Sequence, residues 1–260
     1  MKKILSIQFR KNQASIEQEQ TCIRREIKGN TDVDFIDALD KTIDWNFPEV
    51  IMSGYDGVIL GGSGEFDFDG NRCEDDEKRR ISYELLGQLR PLFQYIFDND
   101  IPTLGICYGH QLLGAFAGAQ VCYSEQQKKT CTHQVKLLVD KNEYFLFTDL
   151  PDTFDAHYAH KDILDRIPDN AVLLMSGGDK CEVSALRYKK NIYTVQFHPE
   201  LTYGDMMGRI KESPGYLPDG AAVEEIFKDD IQSNKILFNF SKMVANRVKS
   251  DEFKHVGTTQ

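Results

Sequence analysis

The stretch Leu104-Gly105-Ile106-Cys107-Tyr108-Gly109-His110-Gln111-Leu112-Leu113 constrains this chain more than any other. The run Ile101 to Ile106 predicts a short buried strand, and a helix-forming run starts at Gly109. Between them stands one cysteine with a glycine two residues away on each side, the G-x-C-x-G form of a nucleophile elbow and the thiol counterpart of G-x-S-x-G. A strand that turns this sharply into a helix needs small residues where the two approach. The turn leaves the sulfur at the positive end of a helix, where a thiolate is favoured and nucleophilic. A buried structural cysteine is the competing explanation, and the glycine spacing argues against it.

The first half of the chain alternates strand and helix signals around that elbow. Residues 2–9 predict a strand. Residues 14–28 predict a helix, with Ile16, Cys22, Ile23 and Ile27 at helical spacing and Gly29 as the stop. Val33 to Ile36 predicts a second strand, and Trp45 to Met52 a short helix with Pro48 in its first turn. Asp56 to Leu60 predicts a third strand that ends in Gly61-Gly62-Ser63-Gly64, and residues 75–98 a long helix. This alternation means a doubly wound parallel α/β sheet. Ligands bind such sheets at the carboxyl ends of strands, where both the glycine loop and Cys107 fall. From about residue 119 short runs, such as Val135 to Val139 and Asn191 to Val195, predict antiparallel or mixed strands in a smaller second sheet. Residues 201–221, rich in Gly, Met and Pro, predict a loop that serves as a lid or a docking surface. Residues 223–248 predict a terminal amphipathic helix or pair of helices, and the whole of 1–260 a single domain.

Composition removes several functions. A net charge of −10 repels phosphate backbones, which argues against a nucleic-acid partner. No stretch approaches the ~18 apolar residues of a membrane span. The six cysteines are scattered without a C-x-x-C pair, and the run Ile4 to Phe9 is too short for a secretory signal. A reducing, cytoplasmic setting with free thiols is expected.

Gln196-Phe197-His198-Pro199-Glu200 follows a strand-like run and supplies a base. In extended chain His198 and Glu200 leave on one face, and Pro199 disfavours helix at His198. A carboxylate beside an imidazole holds its tautomer and raises its basicity. With Cys107 these make a Cys-His-acid set.

Together, Gly105-Ile106-Cys107-Tyr108-Gly109-His110-Gln111 and Gln196-Phe197-His198-Pro199-Glu200 resemble a class I, triad-type glutamine amidotransferase domain over roughly residues 1–200 and the terminal helix. The resemblance implies a flavodoxin-like fold and hydrolysis of the γ-amide of glutamine through a thioester, with Cys107 the nucleophile, His198 the base and Glu200 its orienter. It also implies an oxyanion hole, here from the N–H groups of Gly62 and Tyr108. The common Gly-Gly-Pro loop of the family is Gly-Gly-Ser-Gly in this chain. Three glycines in four residues make that loop mobile, so the Gly62 amide is expected to turn from the pocket until substrate arrives. Gln111 matches a glutamine that holds the amino-acid end of the substrate, and His160-Lys161-Asp162 resembles a segment bordering the pocket. No cofactor or metal is expected. The ammonia would serve a separate synthetase in trans; a free-standing γ-glutamyl hydrolase or peptidase is the alternative, and a non-catalytic binding relative is disfavoured by the intact triad.

Other signals are weaker. Gly61-Gly62-Ser63-Gly64 lacks the Gly-Lys-Ser/Thr of a phosphate loop, and Glu65, Asp67 and Asp69 would repel phosphate. Those acids with Asp76 sit at calcium-loop spacing, but Glu65, Arg72 and Asp76 are the wrong residues at their positions, so a solvated acidic loop is expected. Cys131-Thr132-His133 and His157-x-x-His160 lack companions at metal-ligand spacing.

Overall fold

In the computed structural model, residues 1–212, 226–229 and 232–247 are described. Among these residues, eleven strands and six α-helices occur, alternating as the sequence pattern predicts in the first half: β1 (Lys3–Gln8), α1 (Gln13–Ile27), β2 (Asp32–Asp37), α2 (Pro48–Ile51), β3 (Gly57–Leu60), α3 (Glu77–Asp98), β4 (Thr103–Ile106) and α4 (Tyr108–Phe116). Then come β5 (Val121–Tyr123), β6 (Lys129–Leu137), β7 (Thr153–His160), β8 (Asp162–Leu164), β9 (Val172–Ser176), β10 (Ala185–Arg187), β11 (Ile192–Val195), α5 (Tyr203–Glu212) and α6 (Asn234–Asn246).

Nine strands form one sheet in the order β2-β1-β3-β4-β11-β10-β9-β6-β7. The pairs from β2 to β11 are parallel and those from β11 to β7 antiparallel. β5 and β8 make a separate two-stranded antiparallel sheet. Most of the later strands therefore extend the main sheet, and only β5 and β8 form the second one. β4 lies between β3 and β11, every residue of all three is buried, and their carboxyl ends carry Gly61, Cys107 and Gln196. The parallel topology thus brings the glycine loop, the elbow and the His-Pro-Glu segment to one place.

Residues 203–212 form α5 rather than part of a loop. Thr202 starts it with a capping box: its N–H donates to Asp205 Oδ2 at 2.7 Å, and the Asp205 N–H returns to Thr202 Oγ1 at 3.3 Å. Met206 and Ile210 then bury against Cys22, Leu201 and Phe227. The rest of the predicted loop, residues 213–221, lies outside the described residues. Within the predicted 223–248, the last helix runs Asn234–Asn246 and buries Ile236, Leu237, Phe240 and Val244; residues 223–225, 230–231 and 248 of that span lie outside the described residues. No helix among the described residues is long and apolar enough to cross a membrane.

Candidate active site

The elbow is built from close approach. A Cβ on Gly109 would meet the Leu60 carbonyl oxygen at 2.4 Å, and one on Gly105 would meet the Gly109 oxygen at 2.8 Å. Only glycine lets β3, β4 and α4 pack this tightly. Cys107 itself has φ 51° and ψ −96°, a strained conformation for a residue with a Cβ, worth about 1–3 kcal/mol. The Cys107 N–H donates to Val195 O at 2.8 Å and the Gln111 N–H to Cys107 O at 3.1 Å, so both neighbouring elements fix the turn. Gln196 Nε2 reaches the Cys107 sulfur at 3.7 Å, and the thiol points to Ala159 O, also at 3.7 Å.

His198 and Glu200 are joined by a 2.7 Å hydrogen bond from Nδ1 to Oε1, both almost fully buried. The His198 N–H donates to His157 O at 2.8 Å, which ties the segment to β7. Burial pulls the His198 imidazole pKa down, but Glu200 and then Cys107 outweigh it and carry it up to about 9. Burial likewise opposes the Glu200 charge, and His198 more than compensates, holding the carboxyl below its ordinary value. The imidazolium form is therefore strongly supported at this position.

The two oxyanion candidates differ. Tyr108 opens α4, so its N–H is one of the amides a helix leaves without an internal partner. The Gly62 N–H is already engaged: it donates to Glu19 Oε1 at 3.2 Å. The loop still lies against the reacting groups, since a Cβ on Gly62 would stand 3.0 Å from His198 Cε1 and 3.7 Å from Cys107 Cβ. Gln111 and His160 line a small cavity with Cys107, Asp67 and Asp162. Gln111 Nε2 donates to Asp162 O at 2.9 Å, and His160 Nε2 bonds Gln127 O at 3.1 Å. Burial depresses the His160 pKa to about 3, so that ring is neutral.

Several neighbours escaped sequence reasoning. Glu19 of α1 also accepts from Gln8 Nε2 at 2.9 Å and Arg10 Nη2 at 3.2 Å. Arg209 of α5 stands 3.9 Å from Glu200 Oε1, with its Nε held by Gln18 Oε1 at 3.1 Å. Arg25 donates to Glu200 O at 2.9 Å and to Asp205 Oδ2 at 2.7 Å. One signal was available for Glu19: it falls on the same α1 stripe as the buried Cys22, Ile23 and Glu26.

The weaker signals resolve into structure. Asp162 accepts the amides of Asp69 and Gly70 at 2.9 and 2.7 Å, and Arg72 pairs with Asp67 and Asp76. The acidic loop is thus pinned by hydrogen bonds and ion pairs. No group of three or more His, Cys, Asp or Glu able to hold a metal occurs among the described residues.

An elbow cysteine lies at the carboxyl edge of a doubly wound sheet, with a buried His-Glu pair just past the end of the neighbouring strand β11, an arrangement suited to acyl transfer through a thiol. The sequence model for "Glutamine amidotransferase class-I" matches residues 36–212, and the chain belongs to that family. It is 31% identical to a glutamine-hydrolyzing GMP synthase subunit from Methanosphaera stadtmanae over 65% of this chain and 77% of that protein. The corresponding subunit from Methanopyrus kandleri is 31% identical over 60% of this chain and 72% of its own length. A crystal structure of a glutamine amidotransferase from Thermotoga maritima superposes with a TM-score of 0.67 at 20% identity, covering 95% of this chain and 99% of that one, and so shares the fold.

Proposed function

We propose that the chain hydrolyses the γ-amide of glutamine through a γ-glutamyl thioester on Cys107, releasing ammonia to a synthetase that works in trans. The observation that carries this reading is the strained elbow cysteine beside the 2.7 Å His198–Glu200 pair. The Cys107 sulfur attacks the amide carbon while His198, held by Glu200, carries the proton from the thiol to the departing nitrogen. Water then attacks the thioester, loses a proton to His198 and leaves glutamate. The oxyanion is held by the Tyr108 N–H and, once freed from Glu19, the Gly62 N–H. Gln111 and His160 border the space for the amino-acid end.

The synthetase partner is inferred from the relatives, whose names mark them as one component of a glutamine-hydrolyzing GMP synthase. The six free cysteines agree with a cytoplasmic setting. A second reading, a free-standing γ-glutamyl hydrolase, is favoured by one observation: a cavity of about 300 Å3 opens beside His198. Ammonia release from glutamine and from γ-glutamyl dipeptides, with and without an added synthetase, separates the two. Glutamine turnover that rises on adding the partner supports the first. Dipeptide turnover by the protein alone, with none of glutamine, supports the second.

A further inference from the structure

The Glu200 side chain is only 1% exposed. Its Oε1 takes the His198 bond, and its Oε2 has no hydrogen-bond partner among the described residues. A buried carboxylate is strongly disfavoured without a counter-ion. The His198 imidazolium is one such counter-ion. In the proposed reaction, however, His198 gives its proton to the departing nitrogen, and its charge is then gone. Unless another cation faces Glu200, the carboxylate resists that loss and keeps the proton on the imidazole.

Arg209, which lies beyond both sequence motifs, is that cation. Its Nη1 is 3.9 Å from Glu200 Oε1, and Gln18 Oε1 accepts from its Nε at 3.1 Å. Gln18 Nε2 donates in turn to Asp205 O at 3.0 Å, and Arg25 bridges Glu200 O and Asp205 Oδ2. Side chains of α1 thus fix α5 against the Glu200 segment. The other charges around the pair are spent or absent. Arg10, past the end of β1, pairs with Glu19, and Arg25 with Glu26 and Asp205. Burial pushes the Cys22 thiol of α1 up to about 12. It pulls His157 and His160 of β7 down to about 4 and about 3, so all three are neutral near pH 7. Besides His198 and Cys107, Arg209 is then the charge left to act on Glu200, and a guanidinium keeps its charge when buried.

Resting on the Cys107–His198 reading above, we propose that Arg209 is a positioning residue for the base, the counter-ion that stays with Glu200 when His198 turns neutral. It acts through Glu200 and touches no reacting atom. With Arg209 in place the imidazole titrates near 9, already high for a group that must release a proton near pH 7. Removing the guanidinium leaves Glu200 to pull on the imidazolium unopposed. The resting imidazolium is then more stable, and its proton reaches the departing nitrogen more slowly.

The test is Arg209→Met in the full-length protein. It is read on the NMR titration of the His198 ring in histidine-labelled protein and on kcat and KM for glutamine. The His198 titration should rise by about half a unit or more. kcat should fall about three- to tenfold with little change in KM. Arg209→Gln removes the same charge but keeps an amide toward Gln18, and it carries both readouts if the methionine variant does not fold. A purely structural brace would lower Tm and leave the His198 titration at its wild-type value. That result, or a titration that falls, would overturn the proposal. Wild-type kcat in His198→Ala would instead overturn the catalytic reading beneath it.

Discussion

Glu19 and Gly62 lie 43 residues apart in sequence, yet the Glu19 carboxylate accepts the Gly62 amide at 3.2 Å. The same carboxylate pairs with Arg10, and both side chains are nearly inaccessible, at 1% and 4% exposure. A buried ion pair of this kind is costly to break from one side, because the remaining charge has no water to turn to. Glu19→Ala should therefore lose about 3–5 kcal/mol of stability, measured by chemical denaturation. A denaturation midpoint unchanged from wild type would mean that Arg10 finds another partner.

The nucleophile should be Cys107 alone. Burial pushes the thiols of Cys22 and Cys181 up, to about 12 and about 11. Cys122 and Cys131 are raised by burial as well, and exposed Cys73 by its hydrogen bond with Asp75. Each of these holds less thiolate at neutral pH than an ordinary cysteine. A diazo-ketone analogue of glutamine should label Cys107 only, as read by peptide mass spectrometry. Label on Cys73 or Cys131 in its place would sink the assignment.

His198→Ala should abolish turnover while the fold, followed by circular dichroism, survives. Glu200→Gln should cost less, since an amide can still hydrogen-bond the imidazole but cannot stabilise the imidazolium. Both effects should appear in kcat. Wild-type kcat in His198→Ala removes the histidine from the mechanism.

The same pair gives a pH signature in stability. His198 titrates near 9 when folded against about 6.5 when unfolded, so folding favours its proton. The stability this adds is fully present below about pH 6.5 and is lost as pH rises toward about 9. Glu200→Gln removes the largest cause of the raised pKa. The gap in Tm between wild type and Glu200→Gln should accordingly be widest near pH 6 and shrink toward pH 9. A gap that widens over that range would contradict the assigned coupling.

The elbow and the His198–Glu200 pair were legible because local covalent geometry enforces them. Glycines at fixed offsets from Cys107 admit the turn, and Pro199 constrains the two residues it separates. The parallel half of the sheet was legible from its alternating periods. Helix α5 was not, because Gly204 and Gly208 each disfavour helix by about 1 kcal/mol. The Thr202-x-x-Asp205 capping box and the burial of Met206 and Ile210 overcome them. Strand β7 was hidden by its composition: His157, Tyr158 and His160 are buried yet read as polar. Glu19 reaches the Gly62 amide and Arg209 reaches Glu200 from helices distant in sequence, and no local pattern encodes that convergence.

Glu19 holds the amide that the proposed oxyanion hole still needs, the Gly62 N–H. In the proposed reaction an oxyanion at the Cys107 adduct needs donors, and the Tyr108 N–H at the start of α4 is the first one assigned to it. The Gly62 N–H can supply a second only by leaving Glu19, which makes completion of the hole a separate step before or during acylation. Gly62→Pro removes that N–H. Losing one oxyanion donor costs ~10²–10³ in kcat, so the variant should fall by about that factor with little change in KM. Glu19→Gln, which leaves a neutral acceptor for the same amide, weakens the hold without deleting the donor and should not reproduce that loss. If Gly62→Pro folds and keeps full kcat, the donor lies elsewhere in the loop, with the Ser63 N–H the next to test.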